Sequence, residues 1–330
     1  NIQKGVRFGA ALALALALCA TAALAAETGE KRLVPVGHTV GVKLFSRGVV
    51  VVKLPEGSTP ARTCGLKTGD VIEACGGRTV TSTEQFQSLL QENGTDTTEL
   101  SVKRQGSPVT LSVEPERNEE GACCIGAWVR DSMAGIGTVT YYDPDSNTFG
   151  ALGHGITDGD TAALMPFGNG AILPSTVKAV KKGSCGSAGE LRGEFDLTEE
   201  LGQLYANTGC GIFGTLNAAC SLAEGEALPV GDASEGPAVI RSNISGDEVQ
   251  EYAVEILKTI PDAPDGRELV ISVTDPELIA ATGGIVQGMS GSPILQNGQL
   301  VGAVTHVLLS DPTKGYGISV ETMLNTGAMT

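Results

Sequence analysis

Residues 288–293 read Gly-Met-Ser-Gly-Ser-Pro, and the apolar runs 294–295 and 300–304 follow on either side of the polar turn Gln296-Asn297-Gly298. Short apolar runs around an Asn-Gly pair predict a β-hairpin. The glycines on either side of Ser290 allow a sharp turn, in which backbone N–H groups can approach a reacting oxyanion. This stretch therefore predicts a serine nucleophile on a tight turn in front of a β-hairpin.

The rest of the chain from residue 121 to residue 319 alternates short apolar runs with turns rich in Gly, Pro, Asn and Asp. Runs such as 125–129, 137–142 and 251–257 have the length and spacing of strands in a β-barrel or β-sandwich. The 330 residues include 45 glycines and only 4% aromatics, which favours a turn-rich β protein over a helical bundle. We predict a mainly β fold, with a β-barrel domain over residues 121–330.

A separate block, residues 35–115, combines strands with a helix. Two strands are predicted on either side of a turn at Ser46-Arg47-Gly48, and two more close the block. Thr81-Ser82-Thr83-Glu84 predicts the start of an amphipathic helix, because a hydroxyl cap and an acidic first turn precede the apolar spacing i, i+3, i+4. The charged residues 116–120 predict a linker to the barrel domain.

The order of elements in this block resembles that of bacterial PDZ domains. Residues 64–72, Cys-Gly-Leu-Lys-Thr-Gly-Asp-Val-Ile, match the Gly-Leu-x-x-Gly-Asp-x-Ile segment of that family. The resemblance implies an α+β domain that binds a peptide C-terminus. Val40, Gly41 and Val42 stand where the family has its carboxylate-binding loop, whose N–H groups hold the terminus while the next strand pairs with the peptide.

The charge and the N-terminal residues restrict the partners and the location. A net charge of −16 disfavours nucleic acid and anionic membrane surfaces as partners, since both require basic patches. Residues 1–26 predict an export signal, with Lys4 and Arg7 ahead of an Ala-Leu run and a small-x-small site at Ala23-Leu24-Ala25. That run is also long enough for an N-terminal membrane anchor, so cleavage and retention both stay open.

The eight cysteines are scattered, and they lack both the paired spacing of a zinc site and the pattern of a disulfide framework. We interpret them mostly as small buried apolar residues and leave open one disulfide. The sequence predicts no metal and no cofactor.

A serine nucleophile needs a base and a group that orients the base. His154 is the best candidate base, because it follows an apolar strand and is flanked by glycines. His38 falls in the first block and His306 in the strand after the nucleophile turn, where packing is the ordinary role. Asp275, between a strand and a proline shortly before Ser290, is a candidate orienting acid. Spacing alone leaves four other carboxylates open: Asp143, Asp158, Asp160 and Asp196.

Several segments of the second half resemble the stage IV sporulation protein B peptidases, a serine peptidase family of spore-forming bacteria. These segments are 150–158, 189–193, 207–214, 282–306 and 311–318. The resemblance implies a chymotrypsin-like β-barrel in which His154 is the general base, Ser290 the nucleophile and Asp275 the orienting acid. It also implies a nucleophile and oxyanion loop that contains Gly288, Met289 and Gly291.

The same resemblance implies a role in signalling between two compartments. Family members are exported across the cytoplasmic membrane into the space between forespore and mother cell, and they cleave themselves under the control of the PDZ domain. Their substrate is a membrane-bound regulator of an intramembrane protease, which then activates a late sigma factor. Two alternatives stay open, a general quality-control protease and a non-catalytic scaffold that binds peptide C-termini.

Overall fold

Strands make up most of the regular structure in the computed structural model, which describes residues 31–217 and 220–329. The chain from Leu33 onward forms one compact unit. The predicted export signal, residues 1–26, lies outside the described residues.

The strands and helices are numbered here in chain order. The strands are β1 (Arg32–Pro35), β2 (Thr39–Lys53), β3 (Val71–Cys75), β4 (Arg78–Thr79), β5 (Thr98–Arg104), β6 (Ser107–Val113), β7 (Glu116–Arg117), β8 (Cys123–Cys124), β9 (Trp128–Asp143), β10 (Thr148–Ala151), β11 (Phe167–Lys181), β12 (Glu190–Phe195), β13 (Gly202–Thr208), β14 (Gly211–Leu216), β15 (Leu228–Pro229), β16 (Gly236–Ser242), β17 (Gln250–Thr259), β18 (Leu269–Val273), β19 (Pro293–Gln296), β20 (Gln299–Val307) and β21 (Lys314–Ser319). The helices are α1 (Pro60–Thr63), α2 (Thr83–Asn93), α3 (Pro276–Thr282) and α4 (Val320–Ala328), with a short 3-10 helix at Ser221–Ala223.

Two six-stranded barrels follow each other along the chain. In the first, β9, β10, β14, β13, β11 and β2 pair in that order, and β2 pairs again with β9 to close the ring. In the second, the order is β16-β17-β18-β21-β20-β19, also closed. Each strand of a closed ring is paired on both sides, whereas the sheet that branches from the first ring at β2 ends at β6. The predicted hairpin after Ser290 is β19 paired with β20, part of the second barrel.

The PDZ block shares its first strand with the first barrel. The second half of β2 pairs with β3, which continues through β5 to β6, and α2 packs on this sheet. Ser82 caps α2, accepting a hydrogen bond from the N–H of Gln85 at 3.1 Å, and the helix buries Phe86, Leu89 and Leu90 as its spacing predicts. The predicted fold class, a PDZ domain followed by a β-barrel domain, is confirmed.

The Gly-Asp pair of the PDZ-like motif has a structural role. Asp70 is 1% exposed, and Arg104 reaches both of its carboxylate oxygens, each at 2.7 Å. The N–H of Lys67 donates to the same carboxylate at 2.8 Å. A two-pronged guanidinium contact of this kind compensates the desolvation of a buried carboxylate, whereas removing one partner would leave an unpaired buried charge.

The structure contradicts the assignment of Val40, Gly41 and Val42 to a carboxylate-binding loop. All three lie inside β2, paired with β9 on one side and with β11 on the other. A Cβ at Gly41 would lie 2.6 Å from the Phe195 ring, and both valines are at most 4% exposed. No turn forms at Ser46-Arg47-Gly48, where β2 only shifts its register against β9. The N-terminal half of β2 therefore extends into the barrel. With both edges paired and the side chains in the barrel core, no N–H nest is available here.

All seven cysteines in the described part of the chain are free, so the structure contains no disulfide among them. Cys75 and Cys123 are buried, as expected for small apolar residues, whereas Cys185 is exposed. Within the same residues, no helix is both long and apolar enough to cross a bilayer.

Candidate active site

The nucleophile turn connects α3 to β19, and the buried side chain of Met289 anchors it in the core of the second barrel. Met289 is fully buried in the core of the second barrel, while Ser290 beside it is only partly covered. Gly288 and Gly291 have φ of +99° and +98°, where residues with a Cβ are strained. The small residues around Ser290, selected from the sequence, are therefore required by the backbone geometry of the turn.

Thr138, in strand β9 of the first barrel, fixes the turn of the second barrel. Its N–H donates to the carbonyl of Ser290 at 2.9 Å, and its hydroxyl donates to the carbonyl of Gly288 at 2.8 Å. On the other side, the N–H of Gly291 donates to the carbonyl of Val304 at 2.7 Å. A Cβ at Gly291 would lie 2.0 Å from the carbonyl oxygen of Thr138, so only glycine fits. The nucleophile is thus positioned by both barrels.

Two backbone donors in this turn stay available. The N–H groups of Gly288 and Ser290 have no hydrogen-bond acceptor among the described residues, whereas the carbonyls of both residues are bonded to Thr138. Fixed N–H donors in a turn around a nucleophile are the elements of an oxyanion hole. The oxyanion loop that the sequence predicts at Gly288, Met289 and Gly291 stays a prediction. We assign the donors of this loop to the N–H groups of Gly288 and Ser290.

His154 follows the end of β10 on a strained turn. Leu152 and Gly153 both have positive φ, +69° and +67°, which turns the chain sharply away from the strand. A Cβ at Gly155 would meet the carbonyl oxygen of Thr208 at 2.4 Å. Asn207 fixes the next residue, because its side-chain oxygen accepts from the N–H of Ile156 at 2.8 Å and its amide group donates to the carbonyl of Ile156 at 3.0 Å. These contacts fix the backbone of the turn that carries His154.

The imidazole of His154 is prepared to accept a proton. Its Nδ1 lies 2.9 Å from the carbonyl oxygen of Gly155, which can only accept, so Nδ1 carries the proton and Nε2 keeps a free lone pair. Burial lowers the pKa of His154 below its ordinary value, partly offset by this hydrogen bond. The neutral form, which a general base requires, is therefore favoured near neutral pH.

His306 lies directly beside His154, with ring centroids 5.0 Å apart. Burial first, and then the His154 imidazole, lower the pKa of His306 to about 4. Its Nδ1 is buried without a hydrogen-bond partner among the described residues. The sequence analysis interpreted His306 as a packing residue, because the pattern of a strand does not show that the strand lies next to His154. Its neutral ring packs against the catalytic candidate.

One cleft contains both candidates. It has a volume of about 890 Å³ and is lined by His154, Ser290, Thr305, His306 and residues 133–136 and 285–288, among others. The Ser290 hydroxyl donates to the carbonyl of Thr305 at 2.7 Å, so in this structure it is turned to the backbone. Catalytic hydrogen bonds often form only when substrate binds, and a rotation of the hydroxyl group is the change required.

The structure does not bring Asp275 to His154, a correction to the role implied by the family resemblance. Asp275 is the N-cap of α3, and its Oδ1 accepts from the N–H groups of Glu277 and Leu278 at 2.9 and 3.0 Å. Its other oxygen accepts from the N–H of Ala253 at 3.2 Å. The Asp-Pro context that suggested an acid is a helix start, since Asp and Pro are favoured at the N-cap and N1 positions.

The other candidate carboxylates also have different partners. Asp158 and Asp160 pair with Arg130, Asp196 binds the backbone and hydroxyl of Thr198, and Asp143 binds its own turn. No carboxylate in the described residues lies within hydrogen-bonding distance of His154. The carbonyl of Gly155 accepts the hydrogen bond from Nδ1–H instead. His38 lies in a different cavity, with its Nδ1 2.7 Å from the carbonyl of Thr39.

Comparisons with known proteins identify the family of the chain. Residues 121–324 match the family described as SpoIVB peptidase S55, and residues 34–114 match the PDZ domain family. This chain belongs to the SpoIVB peptidase S55 family. It is therefore a PDZ-containing serine peptidase, and the family predicted from the sequence segments is confirmed.

This SpoIVB-family peptidase is also similar, over parts of its length, to serine proteases and to PDZ domains. It is 35% identical over 74 residues to serine protease HTRA1 of Xenopus tropicalis and 34% identical to that of Xenopus laevis. Each match covers 22% of this chain and 15% of the relative. Among solved structures, the Rv3671c protease of M. tuberculosis in its active form is 15% identical, with a TM-score of 0.33 over 60% of this chain and 74% of that chain. The PDZ domain of the SdrC-like protein from Listeria monocytogenes is 21% identical, with a TM-score of 0.23 over 25% of this chain and 87% of that chain.

Proposed function

We propose that this serine peptidase cleaves a regulatory, membrane-associated protein in sporulation signalling, with Ser290 as nucleophile and His154 as general base. One observation carries the chemistry. Ser290 lies on a turn whose free N–H groups, from Gly288 and Ser290 itself, share a cleft with the unprotonated Nε2 of the partly buried His154. These are the nucleophile, the base and the oxyanion donors that acyl transfer requires.

The reaction consists of two acyl transfers, first to Ser290 and then to water. His154 Nε2 takes the proton of Ser290 as its Oγ forms a bond to the substrate carbonyl carbon, and the N–H groups of Gly288 and Ser290 donate to the resulting oxyanion. The C–N bond then breaks, and His154 returns the proton to the leaving amine. His154 then takes a proton from water as the water oxygen forms a bond to the acyl carbon; the bond from that carbon to Ser290 Oγ breaks, and His154 returns the proton to Oγ. The Gly155 carbonyl keeps Nδ1 protonated and the ring in one orientation throughout.

The biological part of the proposal rests on family membership and domain order. A PDZ domain ahead of the peptidase domain supports recognition of a protein partner, as in the signalling peptidases of this family. Export across the cytoplasmic membrane into the space between forespore and mother cell, and self-cleavage near residues 27–34, belong to the same proposal. A general quality-control protease ordinarily has the reverse order, with the protease domain first, and would degrade many unfolded proteins.

Self-cleavage provides the direct test. We expect the purified chain from residue 27 onward to yield discrete fragments in intact-mass measurements over time, and the Ser290→Ala variant to stay whole. If both stay whole, a fluorophosphonate probe should still label the wild type and not the variant, because labelling needs only an activated serine. Absence of labelling from a folded wild type would refute the catalytic assignment. Degradation of unrelated unfolded proteins at comparable rates would favour the quality-control role.

A further inference from the structure

The segment that leads from the PDZ block into the first barrel runs along the free edge of the PDZ sheet. The first residues of β9 pair antiparallel with the second half of β2, with Val51 opposite Val129 and Val50 opposite Arg130. The other edge of this half of β2 is taken by β3. Residues 123–131, here called the groove segment, therefore occupy the space between β2 and α2.

The apolar side chains of the groove segment alternate, as those of an extended ligand do. Ile125, Ala127 and Val129 pack against the PDZ core formed around Phe86 and Leu89, and Ile125 is only 3% exposed. Between them, Trp128 points outward and is 65% exposed. Period-two burial of this kind is the pattern by which a bound strand inserts every second side chain into a pocket.

The backbone of the groove segment is also bound from the helix side. The side-chain amide of Gln91 in α2 donates to the carbonyl of Cys123 at 2.9 Å and accepts from its N–H at 3.0 Å. The N–H of Ala61 donates to the carbonyl of Ile125 at 2.8 Å. At the far end, the N–H of Thr83 donates to the carboxylate of Asp131 at 2.8 Å. Strand β2 and the helices α1 and α2 thus contact the segment along its length.

Strand addition to an exposed sheet edge is how PDZ domains take peptides. In this chain the added strand has no free end, because β9 continues past the groove into the first barrel. Val40, Gly41 and Val42, expected to bind a terminal carboxylate, are paired inside the sheet. We propose that the groove segment is the resident ligand of this PDZ domain. An external protein partner therefore binds as an extended internal segment that displaces it, without a requirement for a free C-terminus.

The groove segment is linked to both halves of the cleft. Arg130, near its end, pairs with Asp158, a buried carboxylate on the loop that follows His154. Eight residues further along the same strand, Thr138 binds the carbonyls of Gly288 and Ser290. Displacing the segment therefore moves the strand that positions the nucleophile turn. This consequence for activity rests on the proposed function, whereas occupancy of the groove does not.

Trp128 is the only tryptophan of the chain, so its fluorescence reports on the groove segment alone. The test uses the Ser290→Ala chain and a synthetic peptide of residues 122–131, with serine for both cysteines, phenylalanine for the tryptophan, and both ends capped. A tethered segment has an effective concentration of the order of mM, so the peptide is titrated into that range. We expect the Trp128 emission to change saturably and hydrogen exchange to increase across residues 123–131.

Two matched variants separate displacement from a general loss of stability. Val129→Ala weakens only the resident strand. Deleting two half-buried methyl groups should improve the apparent affinity for the peptide by about fourfold. Val109→Ala removes the same atoms from a strand packed on the same core outside the groove, and should leave the affinity unchanged. Three outcomes would each overturn the proposal. The two variants could change the affinity equally, the peptide could bind to neither variant, or only a peptide with a free C-terminal carboxylate could bind. Since the measurement is made without Ser290, it succeeds or fails independently of peptidase activity.

Discussion

Thr138 is the residue through which the first barrel positions the nucleophile of the second. It is fully buried, and its hydroxyl donates to the Gly288 carbonyl at 2.8 Å while its N–H donates to the Ser290 carbonyl. Thr138→Val keeps the branched shape and the backbone bond but removes the hydroxyl donor. The peptide group between Gly288 and Met289 then loses its fixed orientation, and with it the alignment of the neighbouring oxyanion donors.

The magnitude of this change follows from the hydrogen bond that is lost. A typical bond contributes about 0.5–1.5 kcal/mol net, and a buried carbonyl left without a partner costs about 1–3 kcal/mol. Complete loss of one oxyanion donor costs about 2.7–4 kcal/mol in transition-state stabilisation, which sets the upper limit. We therefore expect kcat to fall about tenfold, equivalent to roughly 1.4 kcal/mol, with KM nearly unchanged.

The assay is steady-state cleavage of a peptide that spans the self-cleavage site, with kcat and KM determined separately. Thr138→Ser keeps the donor and should restore most of kcat, which a purely structural role of the side chain would not predict. Thermal unfolding of each variant identifies any general destabilisation. A folded Thr138→Val enzyme with the kcat of the wild type would refute the reasoning.

Two further predictions concern the acid and the base. Asp275→Asn should retain kcat within tenfold and lower the melting temperature only slightly, because Asn keeps the helix cap but loses the acceptor for the N–H of Ala253. A fall of roughly 10⁴-fold, the effect of this change at a true triad acid, would instead show that Asp275 orients His154 during the reaction. Because burial lowers the pKa of His154 and only its neutral form accepts a proton, kcat/KM should rise with pH through a midpoint below the ordinary histidine value of about 6.5. A midpoint at or above that value in a pH–rate profile would contradict the assignment, and His306, with a pKa of about 4, should add no second step above pH 5.

The sequence by itself determined the features that depend on local physical chemistry. The glycines around Ser290 and next to His154 identified both turns, because positive φ and close backbone approach exclude larger residues there. The Ser82 cap and the apolar spacing after it identified α2, and the Asn-Gly pair identified the hairpin of β19 and β20. The family and the mainly β fold followed from such segments, each of which is read from a few neighbouring residues.

The tertiary structure decided whatever depends on which strands meet. Asp275 had the sequence context of a catalytic acid, yet its oxygens bind the start of α3, because hydrogen-bond partners are chosen by distance in space. Val40, Gly41 and Val42 matched a PDZ loop by position, but the pairing of β2 with β9 and β11 buries them in a barrel. Thr138, Asn207 and His306 had no local signal, since their contacts join residues far apart in the chain. Long-range strand pairing set these contacts, and no pattern of neighbouring residues encodes it.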